Sequence, residues 1–254
     1  MRGLGAAVAL LTRLPLSRRT WDEQDVHRSV QWLPLVGAVI GLAIAAVYAG
    51  LSLLVPSMVA AGLSVTFGVF ATGALHEDGL ADTIDGFGAG SDREDTLRIM
   101  KDPVHGTYGV VALALSLLLR ILALAALSPV AALGLLPLVH AVSRGGAIGL
   151  MVALPPATGD GLGAAHVGDG LRRQVVIGAA ISVLIGLALV GWWVGAFLLA
   201  TAVVTAYFSR LARRHLDGFT GDVLGATEQV CEVTLLTLGV ALLELDLIRV
   251  PVWG

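Results

Sequence analysis

Apolar residues run along this chain in long blocks, separated by short polar stretches, rather than alternating with polar ones at the spacing of a half-buried helix. A helix needs about 20 residues to cross a hydrocarbon layer some 30 Å thick. Blocks of that order stand near 32–54, 58–75, 109–127, 131–153, 175–190, 194–208 and 229–248. The pattern predicts an all-α integral membrane protein, a polytopic bundle of about seven transmembrane helices. Residues 175–208 are too long for one upright crossing, so the block divides at Gly191-Trp192-Trp193, where interfacial tryptophans are expected. The opening MRGLGAAVALLTRLPL has a short apolar part, Arg13 close behind it and no small-x-small cleavage site. Residues 1–30 therefore read as an amphipathic segment at the membrane surface rather than a signal peptide. No repeat, linker or separate soluble unit stands out, and one membrane-embedded domain over 1–254 accounts for the chain.

Composition agrees with that class: 56% of residues are apolar, 14% are charged, and the mean hydropathy is +0.86. A formal charge of −3 with 16 scattered basic residues excludes a nucleic-acid partner. The lone Cys231 forms no internal disulfide, and six scattered histidines without a cysteine pair argue against a thiolate zinc site. Any metal is expected to be a hard cation held by oxygen. Lys and Arg stay on the cytoplasmic side of a membrane. An internal amino terminus places Arg2, Arg13, Arg18, Arg19, Arg28, Arg93, Arg98, Lys101, Arg172, Arg173, Arg210, Arg213 and Arg214 there, with Arg249 alone opposite. The same face receives the loops 76–108, 154–174 and 209–228, which hold most of the later carboxylates.

One of those loops begins HEDGLADTIDG, residues 76–86. If the second span continues through it as a helix, Asp78, Asp82 and Asp85 fall at i, i+4 and i+7 on one face, where their repulsion calls for a cation. A solvated acidic helix end is the plainer reading, but glycines at 79, 86, 88 and 90 are poor choices for one. Close backbone approach to a ligand and carboxylates facing Mg2+ fit better. Glu77, to the side, serves as a further ligand or a base. Downstream, RIMKDPVHGTYG offers Lys101 as a point charge for phosphate, His105 as a second candidate base, and a glycine entry into the next helix. In HLDGFTGDVLGATEQVCE, residues 215–232, a Thr-Gly-Asp turn aims Asp222 at the first cluster, whereas Asp217 and Glu232 read equally well as helix caps. Arg120, His140, Ser143 and Arg144 are costly polar groups within apolar blocks, with snorkelling as the alternative for Arg144. Together these residues suggest phosphoryl transfer at the cytoplasmic surface.

HEDGLADTIDGFG followed by LRIMKDPVHGTYGVVAL resembles the signature of the cobalamin synthase (adenosylcobinamide-GDP ribazoletransferase) family, and ALLTRLPL, VHAVSRGGA, DGLGAAH at 160–166 and TGDVLGATEQ extend the likeness in order. The resemblance implies a multi-pass enzyme of a prokaryotic inner membrane. Its substrates would be adenosylcobinamide-GDP and α-ribazole or its 5′-phosphate, with GMP leaving and Mg2+ as cofactor. On that reading Asp78, Asp82, Asp85 and Asp222 hold the metal, Lys101 and Arg144 offset phosphate charge, and Glu77 or His105 accepts the hydroxyl proton. The family also suggests partner enzymes of the same pathway, and a homo-oligomer is left open. Asp82-x-x-Asp85-Gly-x-x-Ala89 is similar to the start of the CDP-alcohol phosphotransferase motif, but Gly90 stands where that motif has Arg. An ion-coupled transporter is the rival from another class; it calls for inverted repeats and midplane acids.

Overall fold

The computed structural model describes residues 2–14, 21–159, 165–168 and 170–250; Arg18, Arg19 and most of the 160–166 segment fall outside them. Eleven α-helices carry the described chain: α1 (Arg2–Leu11), α2 (Glu23–Ser29), α3 (Leu33–Leu51), α4 (Ser57–Thr72), α5 (Leu75–Ala89), α6 (Arg93–Met100), α7 (Thr107–Ala125), α8 (Pro129–Ala153), α9 (Leu171–Val190), α10 (Val194–Leu216) and α11 (Gly221–Glu244). Five elements are long and apolar enough to cross a membrane, and six if α4 and α5 form one broken span. The element Leu171–Leu216 has 46 residues. At ~1.5 Å per residue that is roughly 69 Å, more than twice a bilayer core. It breaks at the expected place, a 3-10 turn over Gly191–Trp193 with Gly191 at φ 58. The expected seven is reached only if this element crosses twice and the bent pair once.

α8 is the axis of the bundle, packing against α3, α9, α10 and α11. Its contact with α3 is close because Gly37 and Gly41, one turn apart, remove the side chains that would separate the backbones. A Cβ at Gly41 would stand 2.7 Å from the Leu136 carbonyl carbon. Leu135, Leu138, Phe197 and Leu235 are fully buried around this axis, whereas Leu53, Phe70, Trp192 and Leu199 point outward and exposed. Outward apolar surface of that kind suits lipid, not water.

Two expectations change in the structure. The second span does not continue into the acidic stretch: α4 ends at Gly73, and both Gly73 and Ala74 adopt left-handed backbone, φ 70 and 58. The Ala74 N–H donates to the Val69 carbonyl at 2.9 Å, closing the helix end, and α5 leaves at 88°. The amino-terminal segment is also more than a surface strip, since α1 packs on α2 and α3 and buries Ala7 and Leu11 in the core.

The polar loops do share one end of the bundle. The Ala157 N–H donates to the Phe219 carbonyl at 2.8 Å, and the Phe219 N–H to the Pro155 carbonyl at 2.9 Å. Arg93 of α6 reaches across to the carbonyls of Leu216 and Ala157. Phe87, near the end of α5, stacks on His215 with ring centroids 4.7 Å apart. These ties hold α5 and α6 over the mouth of the bundle.

Candidate active site

α5 lies along α7 and α11, and glycines set how closely. A Cβ at Gly79 would stand 2.9 Å from the Asp222 carbonyl oxygen and 3.0 Å from its Cα; one at Gly225 would stand 3.3 Å from the His76 Cα. Any larger residue would push α5 and α11 apart and carry Asp222 away from Asp78. Asp222 sits in the first turn of α11, whose cap is Thr220: its hydroxyl accepts from the Val223 N–H at 3.3 Å and lies 3.4 Å from Asp222 Oδ2.

The four predicted metal ligands divide. Asp78 and Asp82, one helical turn apart, share His105, whose Nδ1 is 3.3 Å from Asp82 Oδ1 and whose Nε2 is 3.9 Å from Asp78 Oδ1. One ligand atom from each of the three lies within 4.8 Å of the others. Asp82 also feels the negative charges of Asp78, Asp222 and Asp85. Asp85 is buried and turned to the start of α7, where its oxygens accept the N–H groups of Gly106 at 2.7 Å and Gly109 at 2.9 Å. A Cβ at Gly106 would come within 2.6 Å of Asp85 Oδ1, so the glycine entry into α7 is a seat for this carboxylate. The seat satisfies amides otherwise left unpaired at a helix start.

Beneath this group lies a buried ionic network. Arg120 of α7 holds Glu77 at 2.8 Å, Glu232 at 2.8 Å and the Gln229 amide oxygen at 3.1 Å. Arg144 of α8 holds Glu228 at 2.6 Å and donates to the His140 carbonyl at 2.9 Å. His76 Nδ1 stands 3.1 Å from Glu228, and His140 Nδ1 stands 3.3 Å from Glu232. Arg144 is 3% exposed and does not snorkel; Glu232, also 3% exposed, is an ion-pair partner and not a helix cap. Asp217 instead closes α10 in left-handed backbone at φ 51.

A cavity of about 380 Å3 joins the two levels, lined by Asp78, Lys101, Arg144 and Asp222 together with His76 and Glu228. Of the eight residues singled out from the sequence, four line the cavity directly, Asp82 and His105 stand beside Asp78, and Glu77 and Asp85 are held by partners. Neither His76 nor Glu228 was given a role from the sequence. The signal for Glu228 was the pairing of two i, i+4 motifs of complementary charge, His140/Arg144 and Glu228/Glu232; His76 had none beyond its place at the head of HEDGLADTIDG.

The inner and outer carboxylates differ in how their charge is met. Glu77, Glu228 and Glu232 each contact a guanidinium, whereas among the described residues Asp78 and Asp82 have only His105, and Asp222 only the Thr220 hydroxyl. Oxygen donors bearing unanswered charge at a solvent-open mouth fit a hard divalent cation such as Mg2+. The inner group also gathers three potential ligands, His140, Glu228 and Glu232, but its two arginines already supply the positive charge.

Comparison with known proteins identifies relatives along nearly the whole chain. The family model described as cobalamin-5-phosphate synthase matches residues 3–240. A protein of Azorhizobium caulinodans named adenosylcobinamide-GDP ribazoletransferase is 42% identical over 247 residues, 92% of this chain and 93% of its own length. Proteins of the same name from Rhizobium johnstonii and Rhizobium etli are 41% and 42% identical over 249 residues, 93% of this chain and 95% of theirs. No solved structure matches the chain significantly.

Proposed function

Because the chain belongs to the cobalamin-5-phosphate synthase family, we propose that it joins adenosylcobinamide-GDP to α-ribazole or its 5′-phosphate and releases GMP. The observation that carries this reading is the meeting of Asp78, Asp82 and Asp222, which pair with no arginine among the described residues, at a cavity that also presents Lys101 and Arg144. A diphosphate brings negative charge to this cavity, and a site of bare carboxylates would repel it unless a cation stood between them.

Asp78, Asp82 and Asp222 are the residues that would hold Mg2+; Asp85, with both oxygens accepting amides, positions the start of α7 and is at most an additional ligand. Bound there, Mg2+ supplies neutralisation of the phosphate oxygens as the diphosphate bond to GMP breaks. Lys101, exposed at the rim, adds a point charge for the leaving phosphate. Arg144 faces the same cavity from below, fixed in place by Glu228. Glu77 is spoken for by Arg120 at 2.8 Å, which leaves His105 as the more accessible group to take the proton of the attacking ribose hydroxyl. The arginine and lysine distribution supports a cytoplasmic orientation for this mouth, and membership of the family supports a prokaryotic inner membrane as its location.

Purified protein incubated with adenosylcobinamide-GDP, α-ribazole and Mg2+ releases GMP on this reading, and a parallel run with the 5′-phosphate identifies the preferred acceptor. Absence of GMP with both acceptors, alongside release of CMP from CDP-linked lipids, would overturn it in favour of phosphatidyl transfer.

A further inference from the structure

A second opening lies on the flank of the bundle, away from the acidic mouth. α9 and α10 both pack on α8 and leave between them a groove of about 580 Å3. Gly145 and Gly149 line it from α8, and Leu198 and Ala202 from α10. Three of the four hydroxyls along it are already used within the protein, and the fourth, Ser209, lies at the arginine end. Ser182 donates to the carbonyls of Ala141 and Gly178, each at 3.2 Å, Thr201 to Phe197 at 2.8 Å, and Thr205 to Gly146 at 3.3 Å. Along most of its length the groove therefore offers a ligand only apolar contact.

Its polar end is different in kind. Arg210 and Arg213, three residues apart on one face of α10, close the groove, and both are exposed. Among the described residues neither meets a carboxylate, and Arg213 donates only to the Ala153 carbonyl, at 3.5 Å. The distance along α10 from Leu198 to Arg213 is roughly 22 Å at ~1.5 Å per residue. One leaflet of a bilayer, headgroups included, is about 20–22 Å deep. Length, apolar lining and a doubly cationic end thus describe one kind of ligand.

We propose that this groove is a binding site for an anionic phospholipid, with an acyl chain lying against Gly145 and Gly149 and the headgroup phosphate between Arg210 and Arg213. Guanidinium groups suit phosphate because their paired N–H donors match its oxygens. Among the described residues no acid adjoins the pair, which favours a headgroup of net negative charge over a zwitterionic one. This site stands apart from the acidic cavity and does not depend on the proposed reaction.

Native mass spectrometry of the full-length protein, released from nanodiscs of equal parts phosphatidylglycerol and phosphatidylcholine, tests it. The expected result is one retained phosphatidylglycerol per chain. Substituting Arg210→Gln and Arg213→Gln together should reduce its retention relative to phosphatidylcholine about tenfold or more, given the attraction of membrane-surface cations for anionic lipid. Gly149→Leu should exclude both lipids, since a Cβ there meets only Thr205 Cγ2, at 4.0 Å, and the longer side chain would enter the groove. Equal retention of the two lipids by the unmodified protein would overturn the proposal, as would retention unaffected by both sets of substitutions. Displacement of the lipid by adenosylcobinamide-GDP would do so too, by making the groove part of the reaction site.

Discussion

Seven carboxylates meet around α5 and α11, and what separates those proposed for chemistry from those holding the bundle is the partner each one has. Asp82→Asn or Asp222→Asn should lower turnover by at least about 100-fold, in the range reported for loss of one electrostatic contact to a transition state. Either change also removes a like charge from a crowded group, so melting of the metal-free protein should stay level or rise; a fall would recast these residues as structural. Arg120→Met should act in the opposite way. It leaves Glu77 and Glu232 buried without their cation and should cost about 3–5 kcal/mol, read as a loss of folded protein in detergent. Asp78, Asp82 and their common face were legible in the sequence because they lie one turn apart in a single short stretch. The duties of Glu77 and Asp85 were not: Arg120 is 43 residues from Glu77, and Gly106 and Gly109 are 21 and 24 residues from Asp85. Local spacing gives no access to a partner that distant.

The same limit explains where helix boundaries moved. The last span was expected over 229–248, but α11 begins at Gly221 and carries Glu228, Gln229 and Glu232 inside it. A search for apolar stretches stops at Glu228, because hydropathy prices each side chain alone and cannot credit Arg144 of α8, which neutralises it. The α4–α5 corner was hidden for a different reason: Gly73 looked like any small residue in a membrane helix, yet it and Ala74 take left-handed backbone. Gly73→Val should cost roughly 1–2 kcal/mol at this conformation. It should also lower turnover, since α5 would leave α4 at another angle and take Asp78 with it; unchanged activity would show that the corner does not position the site. At Gly79 the consequence is more direct, because Gly79→Val drives a side chain into the Asp222 backbone and should separate the two acidic helices.

For the molecule entire, the positions of the long apolar helices and the gathering of three distant loops at one end could be read from the blocks of apolar residues and the placement of arginines. The packing order around α8 could not, since seven apolar blocks of similar composition carry no label saying which neighbours which. The side of the membrane that faces the acidic mouth is open to direct test because Cys231, the chain's one cysteine, is fully buried. Ser91→Cys, exposed between α5 and α6, should react with an impermeant maleimide in inverted vesicles and be protected in intact cells with a permeabilised outer barrier; the reverse pattern would turn the protein over. The central claim is that Asp78 and Asp82 hold a divalent cation beside the diphosphate, and Mn2+ substituted for Mg2+ reports on it without requiring turnover. Electron paramagnetic resonance should show Mn2+ bound to the unmodified protein in the presence of the GDP-linked substrate, and free Mn2+ in both Asp78→Asn and Asp82→Asn. Binding that survives in both variants would contradict the account.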